Sequence, residues 1–184
     1  MNDVQQNFER GVADRFFDWL STTGGPTFEF SRRAGEAPDL IYSCGRNELS
    51  VEVTAGYYDS DHARFLWEYA RGKDNRPIGW QGVGNPHEAL AQAIFSRIAA
   101  KCLKRYGATT LLLVEVPPGL TSAEELDGLL AQKSFPSSIP FCGAYVVGRF
   151  PITCHSSGGY RVLPIKRLPP DAFSKGVLVS SHKR

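Results

Sequence analysis

The stretch that decides the fold runs Pro38-Asp39-Leu40-Ile41-Tyr42-Ser43-Cys44-Gly45-Arg46-Asn47-Glu48-Leu49-Ser50-Val51-Glu52-Val53-Thr54. Leu40 and Tyr42 alternate with Asp39 and Ser43, and Leu49, Val51 and Val53 alternate with Glu48, Ser50, Glu52 and Thr54. Period-two patterning on both sides of a Gly-containing turn predicts a β-hairpin with one apolar face. With the turn centred on Gly45-Arg46, Gly first as a type II′ turn prefers, Leu40 faces Val51, Tyr42 faces Leu49 and Asp39 faces Glu52. Directly opposed side chains have Cβ atoms about 4.5–5.5 Å apart. Two carboxylates at that separation destabilise the hairpin unless one is protonated or a cation sits between them. A hard divalent cation, which takes oxygen ligands, resolves the conflict, and the Val53 carbonyl is a candidate third ligand. The plainer alternatives are that Asp39 merely starts a strand and that Glu52 lies on the solvent face of one. A register slip of one residue would separate the pair.

Outward from the hairpin, Val4, Phe8, Val12, Phe16 and Trp19-Leu20 recur at helical spacing, so a helix is expected over Val4–Leu20, closed by Gly24-Gly25-Pro26. Thr27–Ser31 alternates as a short strand. Ala55–Pro86 has no clear period beyond a short helical stretch at His62–Ala70, and reads as a long irregular connection of the functional or mobile kind. A second helix is expected over His87–Tyr106, with Leu90, Ile94, Ile98 and Cys102 as its apolar stripe. The run Thr109–Val116 reads as a buried central strand. Thr121 is the expected N-cap of a third helix, with Glu124 in the capping-box position. A strand within Phe141–Phe150 and short β-like pieces at Tyr160–Ile165 and Val177–Ser180 complete the pattern. The order is α/β, with a mixed central sheet.

Length and composition bound the rest. The chain has 184 residues, 42% hydrophobic and 22% charged, which fits one globular domain and excludes global disorder, collagen and coiled coil. Lys and Arg number 21 against 19 for Asp and Glu, so any nucleic-acid contact must come from a local basic surface rather than from net charge. Cys44, Cys102, Cys142 and Cys154 contain no C-x-x-C pair, against both a disulfide scaffold and a zinc ribbon. His155 beside Cys154 has no partner at ligand spacing. The start of the chain lacks the basic and apolar segments of a secretory signal, and no apolar run approaches the roughly 18 residues of a bilayer span. A cytoplasmic protein without a membrane partner is expected.

The run Pro38-Asp39-x12-Glu52-Val53-Thr54, arriving with the element order α-β-β-β-α-β, resembles the motif of the PD-(D/E)XK nuclease superfamily, the restriction-endonuclease-like fold. The resemblance spans roughly Phe8 to Val116. It implies a single domain over 1–184, with a nuclease-like core over 1–116 and a C-terminal elaboration over 117–184. It also implies that Asp39 and Glu52 are catalytic metal ligands and that Glu9, on the first helix, supplies an extra carboxylate. Thr54 stands where the motif Lys belongs. In several branches of the superfamily that Lys moves to the helix after the hairpin, which makes Lys101 the expected catalytic bearer, with Lys104 second. The implied chemistry is phosphodiester hydrolysis assisted by Mg²⁺, with Mn²⁺ as a substitute. The implied partner is nucleic acid, DNA ahead of RNA, and many members act as homodimers.

Contacts to that partner are expected from Arg64, Arg71, Lys73 and Arg76, which are interleaved with Phe65, Trp67 and Tyr69, and from Arg97 and Lys104 on the second helix. The same aromatics would equally serve to pack a short helix, and Gln92 is a weaker candidate for a substrate contact. The rival reading is a non-catalytic nucleic-acid-binding or scaffold module on the same fold. Thr54 favours the rival; the retained Asp39 and Glu52 favour the enzyme.

Overall fold

A computed structural model describes residues 3–35, 37–57, 85–117, 121–151 and 159–168. Within them the chain runs α1 (Asp3–Thr22), β1 (Glu29–Arg33), β2 (Leu40–Cys44), β3 (Asn47–Ala55), α2 (Pro86–Cys102), β4 (Thr110–Val116), α3 (Ala123–Ala131), β5 (Gly143–Phe150) and β6 (Gly159–Lys166). The expected α-β-β-β-α-β order is present; α3 follows it, and β5 and β6 extend the same sheet. The stretches His62–Ala70 and Val177–Ser180 lie outside the described residues.

All six strands form one open mixed sheet in sequential order. β1, β2 and β3 are an antiparallel meander, β3, β4 and β5 are parallel, and β6 returns antiparallel to β5. The parallel centre explains the unbroken apolar run of β4, since a strand covered on both faces has no solvent side. Leu111 and Leu113 join the core beneath α1, while Leu112, Val114 and Val116 join the core beneath α2 and α3. The steps from β3 to β4 and from β4 to β5 advance in one direction, so crossovers of one hand place α2 and α3 on the same face. α1 covers the other face through Val12, Ala13, Phe16 and Phe17. Tyr42, 1% exposed, needs a partner for its hydroxyl, and α1 supplies Asp14 Oδ1 at 2.5 Å.

Three local expectations need correction. The cap of α3 is Ser122, whose hydroxyl accepts the Glu125 amide at 3.1 Å, one residue beyond the expected Thr121 and Glu124. Both spacings satisfy the capping-box pattern; Thr121 is instead buried, 4% exposed. α2 ends at Cys102 with Leu103 as C-cap, so Tyr106 lies past the helix. β1 begins at Glu29 rather than Thr27, because its pairing with β2 starts at Glu29 opposite Ser43.

Candidate functional site

The hairpin register is the one that the alternation requires. Leu40 pairs with Val51, Ile41 with Ser50, Tyr42 with Leu49, Ser43 with Glu48 and Cys44 with Asn47. Gly45 has φ +61°, and among the described residues no non-glycine has positive φ, the pattern of a turn whose first central position needs glycine. The paired ladder ends at Leu40–Val51, with Asp39 one residue beyond it.

Asp39 sits where β2 begins. Its amide donates to the Val51 carbonyl at 3.0 Å, and its carboxylate Oδ2 accepts the Val53 amide at 2.8 Å. Ser50 sends its amide to the Thr109 carbonyl, just before β4, and Gly56 sends its own to Glu115 of β4, so the even positions of β3 face β4 and the odd ones face β2. Both the amide and the carbonyl of Val53 therefore point to the side on which Asp39 lies. The short Asp side chain takes over the edge of β3 where the backbone of β2 runs out.

Glu52 lies between Val51 and Val53, which belong to the core beneath α1, so its side chain projects to the opposite face, under α2. It is 3% exposed. Oε1 is met by the Lys101 ammonium, coming from the last turn of α2, and by the Tyr106 hydroxyl at 3.1 Å. Oε2 is buried and has no hydrogen-bond partner among the described residues. Lys101 reaches this point because Leu90, Ile94 and Ile98, each fully buried, seat the stripe of α2 on the sheet and leave Lys101 at its margin. Lys104 and Arg97 are exposed. Thr54, two residues beyond Glu52, shares its face.

Burial pushes the Asp39 carboxyl up to about 6, with the nearby charges of Glu52 and Glu9 acting in the same direction. The Val53 amide and the Lys101 ammonium oppose that rise. Burial, then the Glu52 carboxylate, pushes the Tyr106 hydroxyl up, so it remains a donor at neutral pH.

Glu9 is buried on α1, and both of its oxygens are engaged. Gln5 donates to Oε1 at 2.8 Å and Arg33 donates to Oε2 at 3.2 Å, while Arg33 also holds the Gln6 carbonyl. Among the described residues no group of three or more His, Cys, Asp or Glu side chains is placed to hold one metal ion. What converges is two carboxylates, the Val53 backbone, one ammonium and one phenol. Gln92 is turned away, bonded to Lys133 and Ser96. Arg64, Arg71, Lys73 and Arg76 lie outside the described residues, as do Cys154 and His155. Cys44, Cys102 and Cys142 are free thiols.

Two functional candidates escape a reading of the sequence: Tyr106 and Arg33. Tyr106 is separated from Glu52 by 54 positions and Arg33 from Glu9 by 24, and no local pattern links either pair. Comparison of the chain with protein-family models, curated proteins and solved structures finds no match. Among the described residues no helix is long and apolar enough to cross a membrane.

Proposed function

We propose that the chain is a metal-dependent nuclease of the PD-(D/E)XK type, hydrolysing phosphodiester bonds in nucleic acid, with DNA ahead of RNA. The observation that carries this reading is the arrival of Lys101 from α2 at Glu52, on the face that Thr54 leaves without a cation. A meander of three antiparallel strands, followed by a helix and a strand parallel to the third, supports assignment to the restriction-endonuclease-like fold.

The donor set fits a hard divalent cation. Glu52 Oε2 is a buried acceptor with no donor among the described residues, Asp39 is adjacent, and the Val53 carbonyl faces the side on which Asp39 lies. Those three groups would hold Mg²⁺ or Mn²⁺. When bound, the cation supplies charge to the scissile phosphate and acidifies a bound water. Lys101 presents a positive charge to the oxygens where negative charge develops. Asp39 is kept close to its neighbours by the Val53 amide, which fixes the carboxylate without spending its second oxygen.

The test is cleavage of plasmid DNA and of single-stranded DNA and RNA by the purified chain in Mg²⁺, in Mn²⁺ and in EDTA. Metal-dependent nicking supports the reading. Retained binding without cleavage in either metal supports the second reading, a non-catalytic binding module, which draws on Thr54 and on the neutralisation of Glu52 by Lys101.

A further inference from the structure

Glu52 is engaged asymmetrically. Lys101 and Tyr106 both meet Oε1, and Oε2 is buried with no partner among the described residues. A carboxylate has about four acceptor positions over its two oxygens, and here both donors take the same oxygen. Stacking two donors on one oxygen leaves the other bare at a cost in stability.

The two donors differ in kind. The Tyr106 ring is fixed: its centroid is 4.7 Å from that of Phe141, which is 1% exposed. The Phe141 carbonyl is held in turn by Lys166 Nζ at 2.6 Å. Just past Tyr106, the Thr110 amide closes a turn on the Gly107 carbonyl at 3.1 Å. The hydroxyl is neutral and comes from a pinned ring. Lys101 carries a charge on a flexible four-carbon stem whose side chain is 19% exposed.

We infer that Tyr106 is the positioning residue of Glu52, holding Oε1 so that Oε2 is offered to a divalent cation, while Lys101 is the displaceable donor that leaves Oε1 for substrate. The inference rests on the nuclease reading above. A dication at Oε2 repels the nearby ammonium but leaves a neutral phenol undisturbed, so Tyr106 keeps Oε1 satisfied when Lys101 departs. The two residues touch one atom, yet removing them has opposite consequences for the cation. Loss of the hydroxyl loosens the ligand; loss of the ammonium removes a competitor.

The experiment is isothermal titration of Mn²⁺ into the EDTA-stripped, dialysed full chain, without nucleic acid. Four proteins are compared: wild type, Tyr106→Phe, Lys101→Met and the double variant. Tyr106→Phe keeps the ring on Phe141 and should bind Mn²⁺ about 10-fold or more weakly, as losses of ligand-orienting partners do. Lys101→Met should bind more tightly than wild type, and adding Tyr106→Phe to it should weaken binding by a similar factor. Equal affinity of wild type and Tyr106→Phe would overturn the inference, as would a loss in Lys101→Met as large as that in Tyr106→Phe. Tyr106→Phe alone keeps the Lys101 contact with Glu52 and the ring contact with Phe141, so the single variant reads the hydroxyl in a folded chain. Wild type that takes up no Mn²⁺ would sink the nuclease reading, and this inference with it; wild-type binding with no effect of Tyr106→Phe sinks the inference alone.

Discussion

Lys101, on the last turn of α2, places its ammonium on Oε1 of Glu52, in the middle of β3. The contact is nearly dry, with side-chain exposures of 19% for Lys101 and 5% for Glu52. It joins helix to sheet and sets a positive charge on the face that Thr54 shares. Lys101→Ala should therefore lower cleavage by roughly 100-fold or more, the scale seen when a group stabilising transition-state charge is removed. It should also destabilise the metal-free chain, toward the lower end of the roughly 3–5 kcal/mol lost when a buried pair is broken, because Tyr106 still bonds Glu52. Lys104→Ala, at an exposed position, should leave both quantities near wild type. Cleavage kinetics and urea unfolding in EDTA read the two; the opposite ranking would move the role to Lys104.

Asp39→Asn and Glu52→Gln should each abolish metal-dependent cleavage, but their metal-free stabilities should diverge. At Asp39 the amide oxygen of Asn can still accept the Val53 amide, and a charge raised in energy by burial is removed, so stability at pH 8 holds or rises. Glu52→Gln takes the negative partner from Lys101 and leaves an ammonium poorly solvated, so stability falls by about 1–3 kcal/mol. Thermal melts in EDTA separate the two. Either variant cleaving at the wild-type rate would remove its residue from the metal site.

The raised Asp39 carboxyl gives a pH signature with a definite sign. Folding lifts its value from about 3.9 in the unfolded chain to about 6, so the folded state binds the proton more tightly. The contribution of this group is complete below pH 4, declines as pH rises to 6, and is flat above. The stability difference between Asp39→Asn and wild type should grow in favour of the variant across that window. Denaturant titrations at intervals from pH 4 to 8, without metal, measure it. A difference that stays constant over the window would show that Asp39 titrates normally.

Gly56 sets how closely α2 approaches the sheet. A Cβ there would stand 2.8 Å from Ile94 Cγ1 and 3.6 Å from Val114 Cγ1, inside a fully buried contact. Gly56→Ala should cost about 1–3 kcal/mol through overpacking. Because relief requires α2 to lift, the variant should also lose cleavage through the displaced Lys101 while Lys104 remains irrelevant. Unchanged melting temperature and rate would show that Ile94 yields without moving the helix.

The sequence alone determined the hairpin and its register from Leu40–Val51 to Cys44–Asn47. Gly45 fixes the turn, and the apolar alternation of Leu40, Tyr42, Leu49 and Val51 allows one register only, since a slip of one residue would turn all four to the wrong face. It also determined the central place of β4 and the stripe of α2, because continuous or periodic apolar residues state how many faces must be buried. The cap of α3 was underdetermined, since Thr121-Glu124 and Ser122-Glu125 offer the same pattern, and burial of Thr121 broke the tie. Only the tertiary structure decided which charges meet. That Glu52 is held by Lys101 and Tyr106, and that Glu9 is held by Arg33, depends on how α2 and α1 are seated on the sheet. Local sequence encodes which face a side chain takes, because backbone period is a property of a few consecutive residues. It does not encode partners dozens of positions away, whose separation is set by the packing of whole elements and on which the electrostatics of the site depends.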